Sequence, residues 1–179
     1  MAERLTRSAL TGGMDREAAR RVAATFILTM ESRSDIRTEH DPAYLHPARN
    51  ALILLEDLHI RDPLEIRAAI TFDSTRPVGV ADDDIVELLR SVPMPFHDQE
   101  RLLEDLIVAD EAARRIALAD RLDHARHLHL MPAQTWSGFH AQIVAAYLPA
   151  AVRTHPVLAA RFQRWADAFA RRRLPATRT

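Results

Sequence analysis

Apolar residues recur along the chain at spacings of three and four, with almost no alternation, so the pattern predicts helices nearly throughout. Asp15 suits the N-cap of a helix that would bury Ala19, Val22, Ala23, Phe26, Ile27 and Met30. A polar stretch runs from Ser32 to Tyr44. Pro47 then fits the first turn of a second helix, whose apolar face is Ala48, Ala51, Leu52, Leu55 and Leu58. Asp62 and Pro63 read as N-cap and first residue of a third helix, which Pro77 and Gly79 stop near Phe72. Asp82 or Asp83 would cap a short helix through Ile85, Leu88 and Leu89, and the two prolines between Val92 and His97 mark a loop. Periodicity resumes at Leu102, Leu103, Leu106 and Ile107. It restarts at Asp110 toward Leu130, carrying Ala113, Ile116, Ala117 and Leu122. Helices from about Ser137 to Val152 and from Pro156 to about Arg172 complete an all-α helical bundle. Residues 1–14, closing on Thr11-Gly12-Gly13, read as a disordered arm, residues 15–173 as one helical domain, and residues 174–179 as a loose tail.

Composition narrows what such a bundle can do. A chain of 179 residues, 47% apolar, holds one domain with a sizeable core. Lys+Arg of 24 against Asp+Glu of 25 offers no basic field for a nucleic acid or an anionic membrane. The basic carboxyl end, Arg171-Arg172-Arg173 and Arg178, reads as a solvated helix end. There is no cysteine, which excludes thiolate nucleophiles, redox pairs and cysteine zinc sites. There is no lysine either, which excludes Schiff-base chemistry and a Walker-type phosphate loop. No signal-like apolar stretch opens the sequence, and runs such as Ala51 to Leu55 are too short to span a bilayer, so a cytoplasmic location is expected.

Nine histidines raise the question of a metal. His124, His127 and His129 share one predicted helix, where residues three or four apart can hold an ion, but taken alone such a cluster on an Arg-rich helix is more often solvated surface. His59, His140 and His155 read as surface or helix-end residues.

Two segments carry more. One runs Arg37-Thr-Glu-His-Asp-Pro-Ala-Tyr-Leu-His46-Pro47, through the apolar second helix, to Ala68-Ala69-Ile70-Thr71-Phe72-Asp73. The other is Leu118-Ala119-Asp120-Arg121-Leu122-Asp123-His124-Ala125-Arg126. Together they resemble HD-domain phosphohydrolases, specifically the alarmone hydrolase domain of RelA/SpoT proteins and their small stand-alone relatives. Pro132, Trp136, Ser137 and the helix through Tyr147 resemble the closing segment of the stand-alone form. The likeness covers roughly residues 15–173 and is loose between Val78 and Asp110.

What the resemblance implies is an HD-like bundle in which a divalent metal, usually manganese, sits between two His and two Asp side chains. The ion activates water against the 3′-pyrophosphate of guanosine tetra- or pentaphosphate, helped by a Glu-Asp pair. Carried over, His46 matches the first ligand His, Asp73 the Asp of the His-Asp dyad, and Asp120 the later Asp ligand. Arg37 matches the arginine that stacks on guanine, and Tyr147 an aromatic near the nucleotide. The departures are equally specific. Phe72 stands where the second ligand His belongs, with His124 or His97 the alternative source of that ligand although nothing in the sequence positions either, and Arg76 and Pro77 replace the Glu-Asp pair. Asp123-His124 replaces a His (or Tyr)-Asn pair whose Asn holds nucleotide, which puts His124 at a nucleotide-binding position.

The implied function is a degenerate alarmone hydrolase relative that binds a guanine nucleotide, with a divalent metal or none, and is inactive or weakly active. The alternatives are an active pyrophosphohydrolase on a three-ligand site of His46, Asp73 and Asp120, or a helical interaction protein, self-associating as a homo-oligomer. If no metal is held, Asp73 and Asp120 need another cation, for which Arg76, or failing that Arg121, is the expected counter-ion.

Overall fold

The computed structural model describes residues 1–33, 44–75, 83–95 and 101–173. These form helices and short connections, with no strand among the described residues, so the fold is all-α. In chain order the helices are α1 (Ala2–Thr11), α2 (Arg16–Ser32), α3 (His46–Leu52), α4 (Pro63–Thr71) and α5 (Asp83–Arg90). They continue with α6 (Leu102–Val108), α7 (Glu111–His127), α8 (Trp136–Gln142), α9 (Leu148–Thr154) and α10 (Pro156–Arg173). Single π-helical turns extend α3 through Ile53–Asp57 and join α8 to α9 through Ile143–Tyr147. Among the described residues no helix is long and apolar enough to cross a membrane.

Local chemistry sets the helix starts. The Asp15 carboxylate accepts from the Ala18 N–H at 2.8 Å, and that of Asp62 accepts from Leu64 N–H at 2.9 Å just before Pro63. His155 lends its Nδ1 to the Val157 N–H at 3.2 Å, at the head of α10. Within α2 the buried face is Ala18, Ala19, Val22, Thr25, Phe26 and Thr29. Ile27, expected inside, is exposed, because the inward face is turned one position away from it.

The amino-terminal arm expected to be disordered is instead helix α1. Leu5 and Ala9, four residues apart on one face, are fully buried against α2 and α3. Glu56 ties the other side of α1 down, accepting from Arg4 at 2.7 Å and from Ser8 at 2.7 Å. Where the chain leaves the first π-helical turn, His59 takes a positive φ of 57°. The Arg61 guanidinium then folds back to donate to the carbonyls of Leu55 and Ile60, both at 2.9 Å. It lies against Gly12, where a Cβ would stand 2.1 Å from its Cζ.

Helix α7 is the axis of the bundle. Leu118, Ala119, Asp120, Arg121, Leu122 and Asp123 are consecutive and all buried, so this helix is covered all round, by α3, α4, α6, α9 and α10. The polar groups among them therefore have to be answered by protein atoms. Glu65 of α4 likewise is buried, and Arg115 of α7 grips it through Nε at 2.8 Å and Nη2 at 2.7 Å.

Candidate metal centre

The buried polar residues of α7 meet the start of α3 and the end of α4. His46 is the first residue of α3, Asp73 follows the end of α4, and Asp120 and His124 lie one turn apart on α7. One donor atom from each of these four side chains lies within 4.8 Å of every other. Two donors that each bind one ion at about 2.1 Å stand no more than about 4.2 Å apart, so small side-chain adjustments would close the set on a single cation.

Outer contacts hold three of the four. Asp73 places Oδ1 against the N–H (2.9 Å) and hydroxyl (2.7 Å) of Thr75, and Oδ2 against the Arg33 guanidinium at 2.5 Å. Ser74 gives its hydroxyl to Asp120 Oδ2 at 2.6 Å and its N–H to Oδ1 at 3.2 Å. His46 has Nδ1 at 2.8 Å from Asp123 Oδ2 and Nε2 at 3.0 Å from Asp120 Oδ1. Asp123 in turn is gripped by Arg49, Nε to Oδ1 at 2.7 Å and Nη2 to Oδ2 at 2.9 Å.

His124 is different. Its Nε2 is buried yet makes no hydrogen bond, standing 3.4 Å from Asp120 Oδ1 and 3.6 Å from Asp73 Oδ1 without the alignment either bond needs. Its ring lies 4.5 Å, centre to centre, from that of His46. At 21% exposure its side chain is also the cluster's edge toward solvent; the other three are nearly sealed.

Electrostatically, the cluster favours positive charge. Burial opposes a charged His124, but the carboxylates of Asp120 and Asp73 outweigh it and push the imidazole up to about 9. Burial likewise opposes charge on His46, and Asp120 and Asp123 more than offset it, so that ring is also raised. Burial would neutralise Asp73 and Asp120, yet His124 and His46 hold both well below the usual carboxylate range. Asp123 is buried too, but His46 and Arg49 bring it down to about 2.

The three metal-site residues expected from the sequence, His46, Asp73 and Asp120, are thus brought together. His124, expected at a nucleotide-binding position, joins the cluster instead. Tyr147 does not stand open to a ligand. It is 1% exposed, lies beside Phe162, and is covered by the guanidinium of Arg121, 4.9 Å from its ring centre. Arg121 also lies 4.7 Å from the centre of the Phe139 ring, so its charge is spent on aromatic faces rather than on Asp120. The counter-ion role falls to Arg33, which the sequence reading did not name. Phe72 is buried as an apolar residue and turns its carbonyl toward Asn50, at 3.4 Å. Arg37, Arg76, Pro77 and His97 lie outside the described residues.

Asp123, Arg49, Ser74 and Thr75 were missed as parts of the site. The four-residue step from Asp120 to His124 was a usable signal, since it sets both on one helical face. Asp73-Ser74-Thr75 was another, because such triplets commonly turn hydroxyls and N–H groups onto the leading carboxylate. No family model, curated protein or solved structure matches the chain.

Proposed function

We propose that this is an HD-type protein that binds a divalent metal ion through His46, Asp73, Asp120 and His124, and a phosphorylated purine nucleotide beside it, with little or no hydrolytic turnover. The observation that carries the reading is the buried, unbonded Nε2 of His124, facing two carboxylates whose other oxygens are already fixed. A buried imidazole nitrogen without a partner is costly unless a cation completes it. Two imidazoles and two carboxylates are a donor set suited to manganese, iron or zinc.

The HD resemblance supports the same assignment from a separate direction. His46, Asp73 and Asp120 come from three regions of the chain in the family's order, and Phe72 stands at its missing ligand. On this reading His124 supplies the lost imidazole from α7, so the site has four donors rather than three. A divalent ion bound there would supply Lewis-acid polarisation of a phosphate oxygen or of water. The sequence has Arg76 and Pro77 where the family keeps its acid/base pair, and Asp123 is committed to His46 and Arg49. Binding therefore outlasts turnover.

The test is metal content after purification without chelator, followed by titration with manganese, cobalt and zinc. One ion per chain is expected, lost in His124→Ala and Asp120→Asn. Guanosine nucleotides should then raise the melting temperature by mass action, an effect removed by Arg37→Ala, while guanosine tetraphosphate stays intact with manganese. A wild-type protein that takes up none of the three metals at millimolar concentration would sink the metal assignment. Robust turnover would overturn the inactive one.

A further inference from the structure

We infer that Asp123, clamped by Arg49, is a positioning residue that sets the tautomer of His46 and aims its Nε2 lone pair into the cluster. The inference takes the metal-binding reading as its premise, but its geometry stands apart from it. His46 is 1% exposed, so each of its ring nitrogens must be answered by protein atoms. Nδ1 faces Asp123 Oδ2 at 2.8 Å, and a carboxylate only accepts, so this nitrogen carries the proton. Nε2 faces the cluster, 3.0 Å from Asp120 Oδ1; that contact takes a proton in the metal-free protein, and a cation bound between the two would displace it and use the Nε2 lone pair.

Asn50 has its amide nitrogen 2.9 Å from His46 Nε2. The same nitrogen lies 3.4 Å from the Phe72 carbonyl, so Asn50 joins the ring to the end of α4.

Asp123 could not do this alone with the same precision. A free carboxylate rotates about its terminal torsion, whereas the two parallel bonds from Arg49 lock its plane. Asp123 is itself 1% exposed, and Arg49 is the charge that makes its burial tolerable. The chain Arg49–Asp123–His46 thus runs from the surface to the cluster. It has the form of the outer-shell partners that orient imidazole ligands and raise their basicity; removing such partners lowers metal affinity about 10- to 100-fold.

The experiment has two arms. In the first, ring nitrogens of His46 are read by long-range proton–nitrogen correlation spectra of metal-free wild-type protein. The expected result is a proton on Nδ1; an Nδ1 without one overturns the inference and needs no variant. In the second, zinc affinity is measured for wild type, Asp123→Asn and Arg49→Met. Asp123→Asn, checked for folding by circular dichroism, should weaken zinc 10- to 100-fold and disturb the His46 nitrogen shifts. Arg49→Met keeps the acceptor, so it should retain the Nδ1 proton and lose less affinity. If both variants lose equally with the His46 shifts unmoved, or if Asp123→Asn binds as wild type does, the positioning role is wrong. Failure of wild-type protein to bind zinc would instead reject the metal reading, leaving the tautomer result to judge this one.

Discussion

His124 ties the stability of the metal-free protein to pH. Its imidazole is raised from 6.5 to about 9, a difference worth roughly 3 kcal/mol at about 1.4 kcal/mol per pH unit. Because the folded value is the higher one, the contribution is complete below about 6.5 and is lost as pH climbs through 9. The carboxylates have the opposite sense: Asp73, Asp120 and Asp123 are all depressed, so their contribution is present above about 4 and is lost as pH falls below it. Stability of the metal-free protein should therefore be greatest between about pH 4.5 and 6.5 and decline by about 3 kcal/mol toward pH 9.5. The assay is urea unfolding in chelator at half-unit steps from pH 6 to 10, for wild type and His124→Asn. The variant should begin less stable at pH 6 and lack most of the alkaline decline. With saturating zinc, wild type should hold its stability to higher pH, since a divalent ion replaces the proton as the cluster's positive charge. A wild-type curve flat between pH 7 and 9.5, or an alkaline decline unchanged in His124→Asn, would refute the argument.

Three further outcomes are expected. Arg33→Met strips a buried cation from a fully buried Asp73 and should cost about 3 kcal/mol in urea unfolding at pH 7, at the lower end for a broken buried pair because Thr75 still holds the carboxylate; a loss under about 1 kcal/mol would contradict it. Arg115→Met should destabilise by about 3 kcal/mol, whereas the double change Glu65→Leu with Arg115→Met should recover most of that, as burial alone already pushes the Glu65 carboxyl upward; equal losses in a double-mutant cycle would argue against it. Gly12→Ala should push the Arg61 guanidinium off the Leu55 and Ile60 carbonyls and lower stability by about 1–2 kcal/mol, with Arg61→Ala in the same background adding little further loss.

The helices were legible because their faces and caps are local: Asp15, Asp62 and Pro63 do at close range what the sequence says they should. Helix α1 was not, since two buried residues on a short segment make too weak a period, and what holds it, Glu56, lies about fifty positions away in the chain. That His46, Asp73 and Asp120 would come together was read from flanking residues rather than spacing. Asp123 escaped because a charged side chain on a helix reads as solvated surface until its helix is known to be covered on every side, and Arg33 because it follows the end of α2 with its partner Asp73 forty positions away. The burial of Tyr147 was not legible for the converse reason: a ring suited to stacking on a base is equally suited to filling a core, and α10 arrives with Phe162 beside it.

The π-helical turn at Ile53–Asp57 works like an offset in a shaft. A widened turn takes in one residue more than an α-turn, and one residue of α-helix is about 100° of rotation. His46 and Asn50 lie before the offset, whereas Glu56 and Asp57, which fasten this segment to Arg4 and Arg161, lie within it. Shortening the segment by one residue ahead of Glu56 would leave a smoother helix at the loss of one buried aliphatic side chain among Ile53, Leu54 and Leu55. With those fastenings unchanged, however, it would swing the His46 side about a quarter turn away from Asp120. In this chain length at that point is angle, and a single-residue deletion there should uncouple folding from assembly of the cluster.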